Sequence, residues 1–115
     1  KSLGEKIRGF SHITGGGIAE NTARVIPKGL TATYDRSTWQ LPIAMEFFAK
    51  HGSVAQADME RTWNCGIGMV AIIDSLVADL AIRSLAARGM KSWVAGEVKK
   101  SDENIGSLLI NNYAK

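Results

Sequence analysis

The chain has 115 residues, with 14 Lys and Arg against 11 Asp and Glu, which leaves a formal charge of +3. This length supports one domain with one core, and a composition that is 45% hydrophobic and 22% charged is typical of a globular chain. The basic residues are scattered rather than clustered, which disfavours a nucleic-acid surface. The longest uncharged stretch, 62–73, is shorter than the roughly 20 residues of a membrane-spanning helix, so membrane insertion is also disfavoured.

The cellular context is predicted from two features of the chain. Cys65 is the single cysteine, which excludes an internal disulfide, and no signal-peptide pattern is visible. Both features favour a cytoplasmic protein. The first residue is Lys1 rather than Met, and we therefore expect the chain to be a piece of a longer polypeptide.

The first third of the chain predicts two strands around one helix. Residues 7–14 are apolar and β-prone, and predict a strand that runs into three consecutive glycines. A helix over 18–25 follows and ends before Pro27, because the residue preceding a proline disfavours helical geometry. Residues 30–35 alternate apolar and polar side chains, the period of a half-buried strand.

Two further helices are predicted in the middle of the chain. Pro42 suits the first position of a helix that ends at Gly52. Ser53 and Gln56 have the spacing of a capping box, which would open a second helix through about Arg61.

The last part of the chain predicts a buried strand followed by an amphipathic helix. The continuous apolar run 66–73 is typical of a strand buried on both faces. Asp74 or Ser75 is expected to cap the next helix, which ends at Arg88 before Gly89. The apolar stripe of this helix consists of Leu76, Leu80, Ala81 and Leu85.

Two strands, over 93–99 and 105–112, complete the chain around a polar turn at 101–104. The resulting order, β-α-β-α-α-β-α-β-β, predicts an α+β fold in which helices cover a mixed sheet. The pattern leaves the order of the strands open.

The first candidate site is the glycine-rich segment 12–17, between a strand and a helix. Gly15, Gly16 and Gly17 allow a sharp turn whose N–H groups approach a ligand closely, and a helix start favours an anion such as phosphate. The segment matches neither GxxxxGK[ST] nor GxGxxG, and a glycine turn without a ligand is the alternative. His12 is a candidate for phosphate contact or proton transfer, with a buried histidine at a strand end as its alternative.

The second candidate site lies in segment 61–69. Gly66 and Gly68 allow close backbone approach, and Asn64 offers an amide beside them. Cys65 is a possible nucleophile, but no neighbouring residue supplies a base, so a buried small side chain is the favoured interpretation. The histidines and the cysteine have no metal-ligand spacing, and no metal site is predicted.

Three segments together resemble a known family: HITGGGIAENTARVIP at 12–27, YDRSTW at 34–39 and ERTWNCGIGM at 60–69. In this order they are similar to the C-terminal half of phosphoribosylformylglycinamidine cyclo-ligases, also called aminoimidazole ribonucleotide synthetases. The similarity extends over residues 7–100. Trp63 replaces the usual phenylalanine and Ser11 a small apolar residue, and neither change affects the assignment.

The resemblance implies a reaction in purine biosynthesis. ATP phosphorylates the amide oxygen of formylglycinamidine ribonucleotide, and an internal nitrogen then closes the imidazole ring of aminoimidazole ribonucleotide, releasing ADP and phosphate. The residues that the resemblance assigns to the substrate phosphate are Thr14, Gly15, Gly16 and Gly17. Those assigned to catalysis are His12 and Asn64. The cleft wall would comprise Arg61, Gly66 and Gly68. Arg24 and Arg61 are candidate anion contacts, or else structural ion-pair partners.

The resemblance also implies a second domain outside this sequence. Family members carry an N-terminal domain that binds ATP and magnesium and forms the homodimer, so residues 1–115 are expected to be a three-layer-like C-terminal, substrate-side domain that folds but is inactive alone. One alternative is another ATP-dependent enzyme of the superfamily, such as selenophosphate synthase or thiamin-phosphate kinase. A second alternative is a noncatalytic phosphate-binding or oligomerisation module.

Overall fold

The computed structural model describes residues 4–103 and 105–115. The strands are β1 (Ile7–His12), β2 (Leu30–Asp35), β3 (Met69–Ile73), β4 (Gly96–Lys100) and β5 (Ser107–Ile110). The α-helices are α1 (Gly17–Ala23), α2 (Ile43–His51), α3 (Gln56–Thr62) and α4 (Ala78–Ala86). Short 3-10 turns lie at Gly4–Lys6, Arg36–Thr38 and Ser75–Val77. The predicted order of strands and helices is confirmed.

The strands form two sheets. In the first, β1 pairs antiparallel with β3. In the second, β2 is the central strand, antiparallel to β4 on one side and parallel to β5 on the other. The α+β class with mixed pairing is therefore confirmed, and the mixed pairing is confined to the second sheet. The predicted turn over 101–104 connects strands on opposite sides of β2, and its last residue, Asn104, lies outside the described residues.

The core lies where the loop after β1, helices α1 and α3, and strand β2 meet. Its buried members are Ile13, Ile18, Tyr34, Trp39, Met59, Cys65 and Ile67. Trp63 and Trp93 are partly buried and pack against this cluster. The buried Thr22 and Tyr34 hydroxyls are 2.6 Å apart and hydrogen-bonded, which joins α1 to β2 within the core.

The expectation of a strand buried on both faces is wrong for β3. The strand begins only at Met69, and residues 66–68 form a turn and a short connection before it. Met69 is 58% exposed, and no residue of the strand is buried. Among the described strands β3 pairs only with β1, so its other edge has no partner strand, and no layer of the described structure buries either of its faces completely.

The helix after β3 differs from its prediction in two respects. Asp74 does cap its start, accepting a hydrogen bond from the Leu76 N–H at 2.9 Å, but the capped segment is a 3-10 turn and α4 begins at Ala78. The apolar stripe is not buried: Leu76 is 87% and Leu80 40% exposed. A local amphipathic pattern specifies a helix, but it does not supply the surface that covers its apolar face.

The predicted capping box before α3 is wrong. Ala55 is the N-cap residue and makes no side-chain hydrogen bond to the helix. Ser53 instead belongs to the end of α2, where it adopts a left-handed conformation with φ 53° while the Val54 N–H donates to Ala49 O at 2.9 Å. This is the hydrogen bond of a Schellman motif, and Ser53 occupies the position that glycine usually takes.

The remaining boundaries differ by a few residues. Trp93 lies before β4 rather than in it, and β5 covers only the centre of the predicted 105–112. Within the part of the chain that the structure covers, no helix has both the length and the apolar character needed to cross a bilayer.

Candidate functional site

The glycine segment forms a turn between β1 and α1. Gly16 and Gly17 have φ values of 102° and 79°, the left-handed region that favours glycine. The Gly17 N–H donates to Thr14 O at 3.1 Å and thereby closes the turn. The N–H groups of Gly15 and Gly16 form no hydrogen bond with the described residues, and they are the donors that remain for a ligand.

One buried side chain, Asn21 of α1, holds this turn. Its Nδ2 donates to the carbonyl oxygens of Gly17 at 2.7 Å, Thr14 at 3.2 Å and Gly15 at 3.4 Å. The Thr14 hydroxyl donates to Asn21 Oδ1 at 3.3 Å. Asn21 was not among the site residues predicted from the sequence. The available signal was an amide side chain four residues after the glycine run, where one turn of helix brings it back over the loop.

The second segment folds into a tight turn after α3. Asn64 Oδ1 accepts a hydrogen bond from the Gly66 N–H at 2.9 Å, an Asx turn. Cys65 and Gly66 have positive φ values of 54° and 97°. The turn is tied to the core because Trp39 Nε1 donates to Cys65 O at 3.0 Å.

The two segments meet at one shallow cavity of 260 Å³ that is open to solvent. Its lining residues are Ile13, Thr14, Met45, Thr62, Trp63 and Asn64. The Ile13 N–H also donates to Gly68 O at 3.0 Å, which joins the two segments beside the cavity. The structure thus brings Thr14 and Asn64, which are far apart in sequence, to the same cavity.

Other predicted wall residues lie elsewhere. Gly66 and Gly68 line a different cavity of 1070 Å³, bounded by strand β3, helix α4 and the start of β4. An added Cβ at Gly66 would lie 3.0 Å from Pro42 Cγ, so the close approach that this glycine permits is to a proline ring.

The charged candidates lie on the surface around the turn. His12, the last residue of β1, is exposed, so its interpretation as a buried histidine is wrong. Arg24 Nη2 donates to Glu20 Oε1 at 2.9 Å, and Arg61 forms an ion pair with Asp58. Both arginines are therefore ion-pair partners on exposed helix surfaces, which is the structural alternative stated above.

Cys65 is fully buried, and burial raises the pKa of its thiol. A higher pKa keeps the thiol protonated, which opposes nucleophilic chemistry. The interpretation of Cys65 as a small buried side chain is confirmed.

These features define a class of protein: an α+β domain in which a glycine turn and an Asx turn form one cavity beside a compact core. Residues 1–108 match the family described as AIR synthase related protein, C-terminal domain. The chain belongs to this family, which confirms the expected fold family.

Relatives at high identity carry an enzyme name. A phosphoribosylformylglycinamidine cyclo-ligase of Paraburkholderia phymatum (strain DSM 17167 / CIP 108236 / LMG 21445 / STM815) is 48% identical over 105 residues, covering 91% of this chain and 30% of the relative. A cyclo-ligase of the same name from Burkholderia mallei (strain SAVP1) is 47% identical over 111 residues, covering 95% of this chain and 32% of the relative. The chain therefore spans about 30% of the length of such curated relatives, and the predicted resemblance to this enzyme's C-terminal part is confirmed.

Proposed function

We propose that residues 1–115 are the C-terminal, substrate-side domain of an ATP-dependent cyclo-ligase that converts formylglycinamidine ribonucleotide to aminoimidazole ribonucleotide in purine biosynthesis. The enzyme would be a cytoplasmic homodimer whose ATP-binding N-terminal domain lies outside this sequence. The observation that carries the proposal is the cavity shared by Thr14 and Asn64, in a chain 48% identical to a protein of that name.

The ribose phosphate of the substrate is assigned to the glycine turn. Gly15 and Gly16 supply backbone N–H donors, and the Thr14 hydroxyl, whose hydrogen bond to Asn21 is long at 3.3 Å, turns to a phosphate oxygen. Gly17 contributes its conformation and not its N–H, which is bonded to Thr14 O. Preorganised backbone donors bind an anion without reorganisation, and this supports the assignment.

The catalytic assignments are Asn64 and His12. Asn64 lines the cavity, and its Oδ1 is bonded to the Gly66 N–H, which orients Nδ2 as the donor to charge that develops on the reacting amide. His12 is exposed at the end of β1, two residues from Thr14, and is assigned to proton transfer at the rim of the site.

ATP and magnesium are assigned to the N-terminal domain. Among the described residues, no group of three or more His, Cys, Asp and Glu side chains could hold a metal ion. When bound, ATP would supply the phosphoryl group that activates the amide oxygen.

The reaction is tested on the intact enzyme that contains this domain. Formylglycinamidine ribonucleotide, ATP and magnesium are supplied, and aminoimidazole ribonucleotide and ADP are measured together. Coupled formation of both products supports the proposal. ATP turnover with a different substrate alone would move the chain to a sister enzyme of the superfamily, and ligand binding without any turnover would favour the noncatalytic module.

The role of the glycine turn is tested by Gly16→Val. A branched side chain at φ 102° is strained, and its Cβ would lie 2.6 Å from Glu20 Oε2, so the turn and the Glu20 side chain must shift. We therefore expect at least tenfold weaker binding of the substrate, about 1.4 kcal/mol. Gly29→Val is the matched control, because Gly29 also has a positive φ, 86°, with open space around it, and lies outside the turn. Equal binding by folded Gly16→Val and wild-type protein would remove the turn from the mechanism.

A further inference from the structure

A nearly buried ion cluster lies next to the candidate site without lining its cavity. The Glu60 carboxylate, at the last turn of α3, accepts two hydrogen bonds from Arg36, Nε to Oε2 and Nη2 to Oε1, both at 2.7 Å. The two side chains are only 13% and 11% exposed. The Tyr113 hydroxyl donates to Glu60 Oε2, and Arg36 Nη1 donates to Asn111 O at 2.8 Å. The turn after β2, helix α3 and the C-terminal segment thus meet at one carboxylate.

The cluster is rigid for physical reasons. A bidentate arginine–carboxylate pair fixes both distance and orientation, because two parallel N–H donors must face two oxygens. Burial and the neighbouring Glu60 raise the pKa of Tyr113, so the phenol keeps its proton and remains a donor. Paired buried charges often contribute little net stability, whereas they restrict how the segments that carry them are arranged.

Each wall of the candidate site touches this cluster. On one side, the main chain of Glu60 packs against the glycine turn so closely that an added Cβ at Gly17 would lie 1.6 Å from Glu60 O. On the other side, the Tyr113 ring packs edge-on against Trp39, with ring centroids 5.5 Å apart, and Trp39 Nε1 holds Cys65 O in the Asx turn.

We propose that the Arg36–Glu60–Tyr113 cluster holds the glycine turn and the Asn64 turn at the separation that a phosphoribosyl substrate requires, with Glu60 as the positioning residue. The substrate class in this inference rests on the proposed function. None of the three side chains lines the cavity, so their effect passes through the main chain of Glu60 and through Trp39.

The first test measures kinetics of the intact enzyme for Tyr113→Phe, which removes one hydroxyl and keeps the ring. Misplacing one wall raises the KM for formylglycinamidine ribonucleotide by about tenfold, while the KM for ATP stays unchanged. A variant that is merely less stable has fewer active molecules, which lowers kcat per total protein and leaves both KM values unchanged. Glu97→Gln is the control, because Glu97 also forms an ion pair, with Lys99 at 2.9 Å, but on exposed strand β4.

A double variant allows the proposal to be tested even if a single variant fails to fold. Glu60→Gln leaves the Arg36 charge without its carboxylate, and this variant alone risks unfolding. Arg36→Met/Glu60→Met removes both charges and keeps similar volumes, so the double variant is expected to fold. The double variant should raise the KM for formylglycinamidine ribonucleotide, as Tyr113→Phe does. A folded double variant with wild-type KM values would overturn the proposal.

Amide hydrogen exchange separates this inference from the proposed function, since it needs no substrate. In folded Arg36→Met/Glu60→Met, the Gly17 amide, bonded to Thr14 O, and the Gly66 amide, bonded to Asn64 Oδ1, should both exchange at least tenfold faster. The Asp74 amide, bonded to Lys6 O at 2.9 Å, should not change. Unchanged exchange at Gly17 and Gly66 overturns the inference whatever the assay shows. If both the Gly17 and the Gly66 amides exchange faster in the double variant, but the intact wild-type enzyme makes no aminoimidazole ribonucleotide, the positioning role of the cluster is supported and the proposed reaction is refuted.

Discussion

Two regions of the molecule contain short helices but differ in packing. One is the junction where α1, α3 and the glycine turn meet, and the other is the end of the molecule that carries α4. At the junction Ile18, Thr22 and Cys65 are completely buried. Helix α4 has no buried residue, although its sequence has an amphipathic pattern. In these two regions burial therefore follows close backbone approach and not the hydrophobic periodicity of the helix.

The physical difference lies in what lets the main chains approach each other. At the junction, Gly17 admits the Glu60 carbonyl, and the buried Asn21 Nδ2 donates to Gly17 O at 2.7 Å. Helix α4 has no corresponding glycine contact, since Gly89 after its end has open space around it. Four experiments test this difference between the two regions.

The largest effect is expected from Gly17→Ala. The new Cβ would lie 1.6 Å from Glu60 O at a φ of 79°, so the variant should lose more than about 3 kcal/mol of unfolding free energy or fail to fold. The measurement is urea denaturation. Gly15→Ala is the control, because no atom lies within 4 Å of its Cβ, and it should lose less than about 1 kcal/mol. Similar losses of unfolding free energy for Gly17→Ala and Gly15→Ala would show that the contact between Gly17 and Glu60 O is not tight.

The second change compares apolar truncations in the two regions. Ile18→Ala removes a completely buried side chain and should cost about 2–5 kcal/mol. Leu76→Ala removes one that is 87% exposed and should cost less than about 0.5 kcal/mol. Denaturant midpoints of the two variants test the comparison directly, and a large loss for Leu76→Ala would mean that the α4 end is packed.

Alkaline pH should weaken the junction. Burial raises the pKa values of Cys65, Tyr34 and Tyr113, so the unfolded chain loses these protons at lower pH than the native protein. Above about pH 9 the native state therefore binds more protons than the unfolded chain, and the unfolding free energy should fall by about 1 kcal/mol per pH unit. Below that pH all three groups are protonated in both states, and their full contribution to stability is present. Denaturation from pH 7 to 10.5 measures the slope. Cys65→Ala should delay the onset of the fall, and a flat profile would contradict the burial of these groups.

The smallest effect is expected at the cap before α4. Asp74→Ala removes the carboxylate that accepts from the Leu76 N–H at 2.9 Å and should cost about 0.5–1 kcal/mol. Asp79→Ala, in the first turn of α4, removes an equal charge with no hydrogen bond to a backbone N–H among the described residues, and it should cost less. Thermal unfolding of the two variants makes the comparison, and equal losses would assign the effect to charge alone.

Local patterns predicted much of this fold. The alternation over β2 predicted its bounds, Leu30–Asp35, without error, because a half-buried strand has a period of two. The glycine run correctly predicted a turn between β1 and α1, and Asp74 correctly predicted a cap. Ser53 was misinterpreted because its spacing to Gln56 fits a capping box, whereas hydrogen bonds at the end of α2 place it in a left-handed turn.

From the residues alone the candidate site was predictable only in its parts, and the family resemblance placed the glycine loop and Asn64 at one cleft. The segments containing Thr14 and Asn64 were recognised from glycines and an amide, and in the structure they meet at one cavity, beside which the Ile13 N–H donates to Gly68 O. Gly66 and Gly68 were assigned to the same wall and line a different cavity, because the chain turns between Asn64 and Met69.

The amino-acid sequence determined the order of strands and helices, the two turns and the family, since each depends on neighbouring residues or on a contiguous motif. Three features were decided only by the tertiary structure. Gly17 is a packing contact, the apolar stripe that includes Leu76 and Leu80 stays exposed, and the side chains of Arg36, Glu60 and Tyr113 form one cluster. The physical reason is that burial and charge pairing depend on main-chain proximity between residues far apart in sequence. The secondary-structure propensity of a short segment does not depend on that proximity.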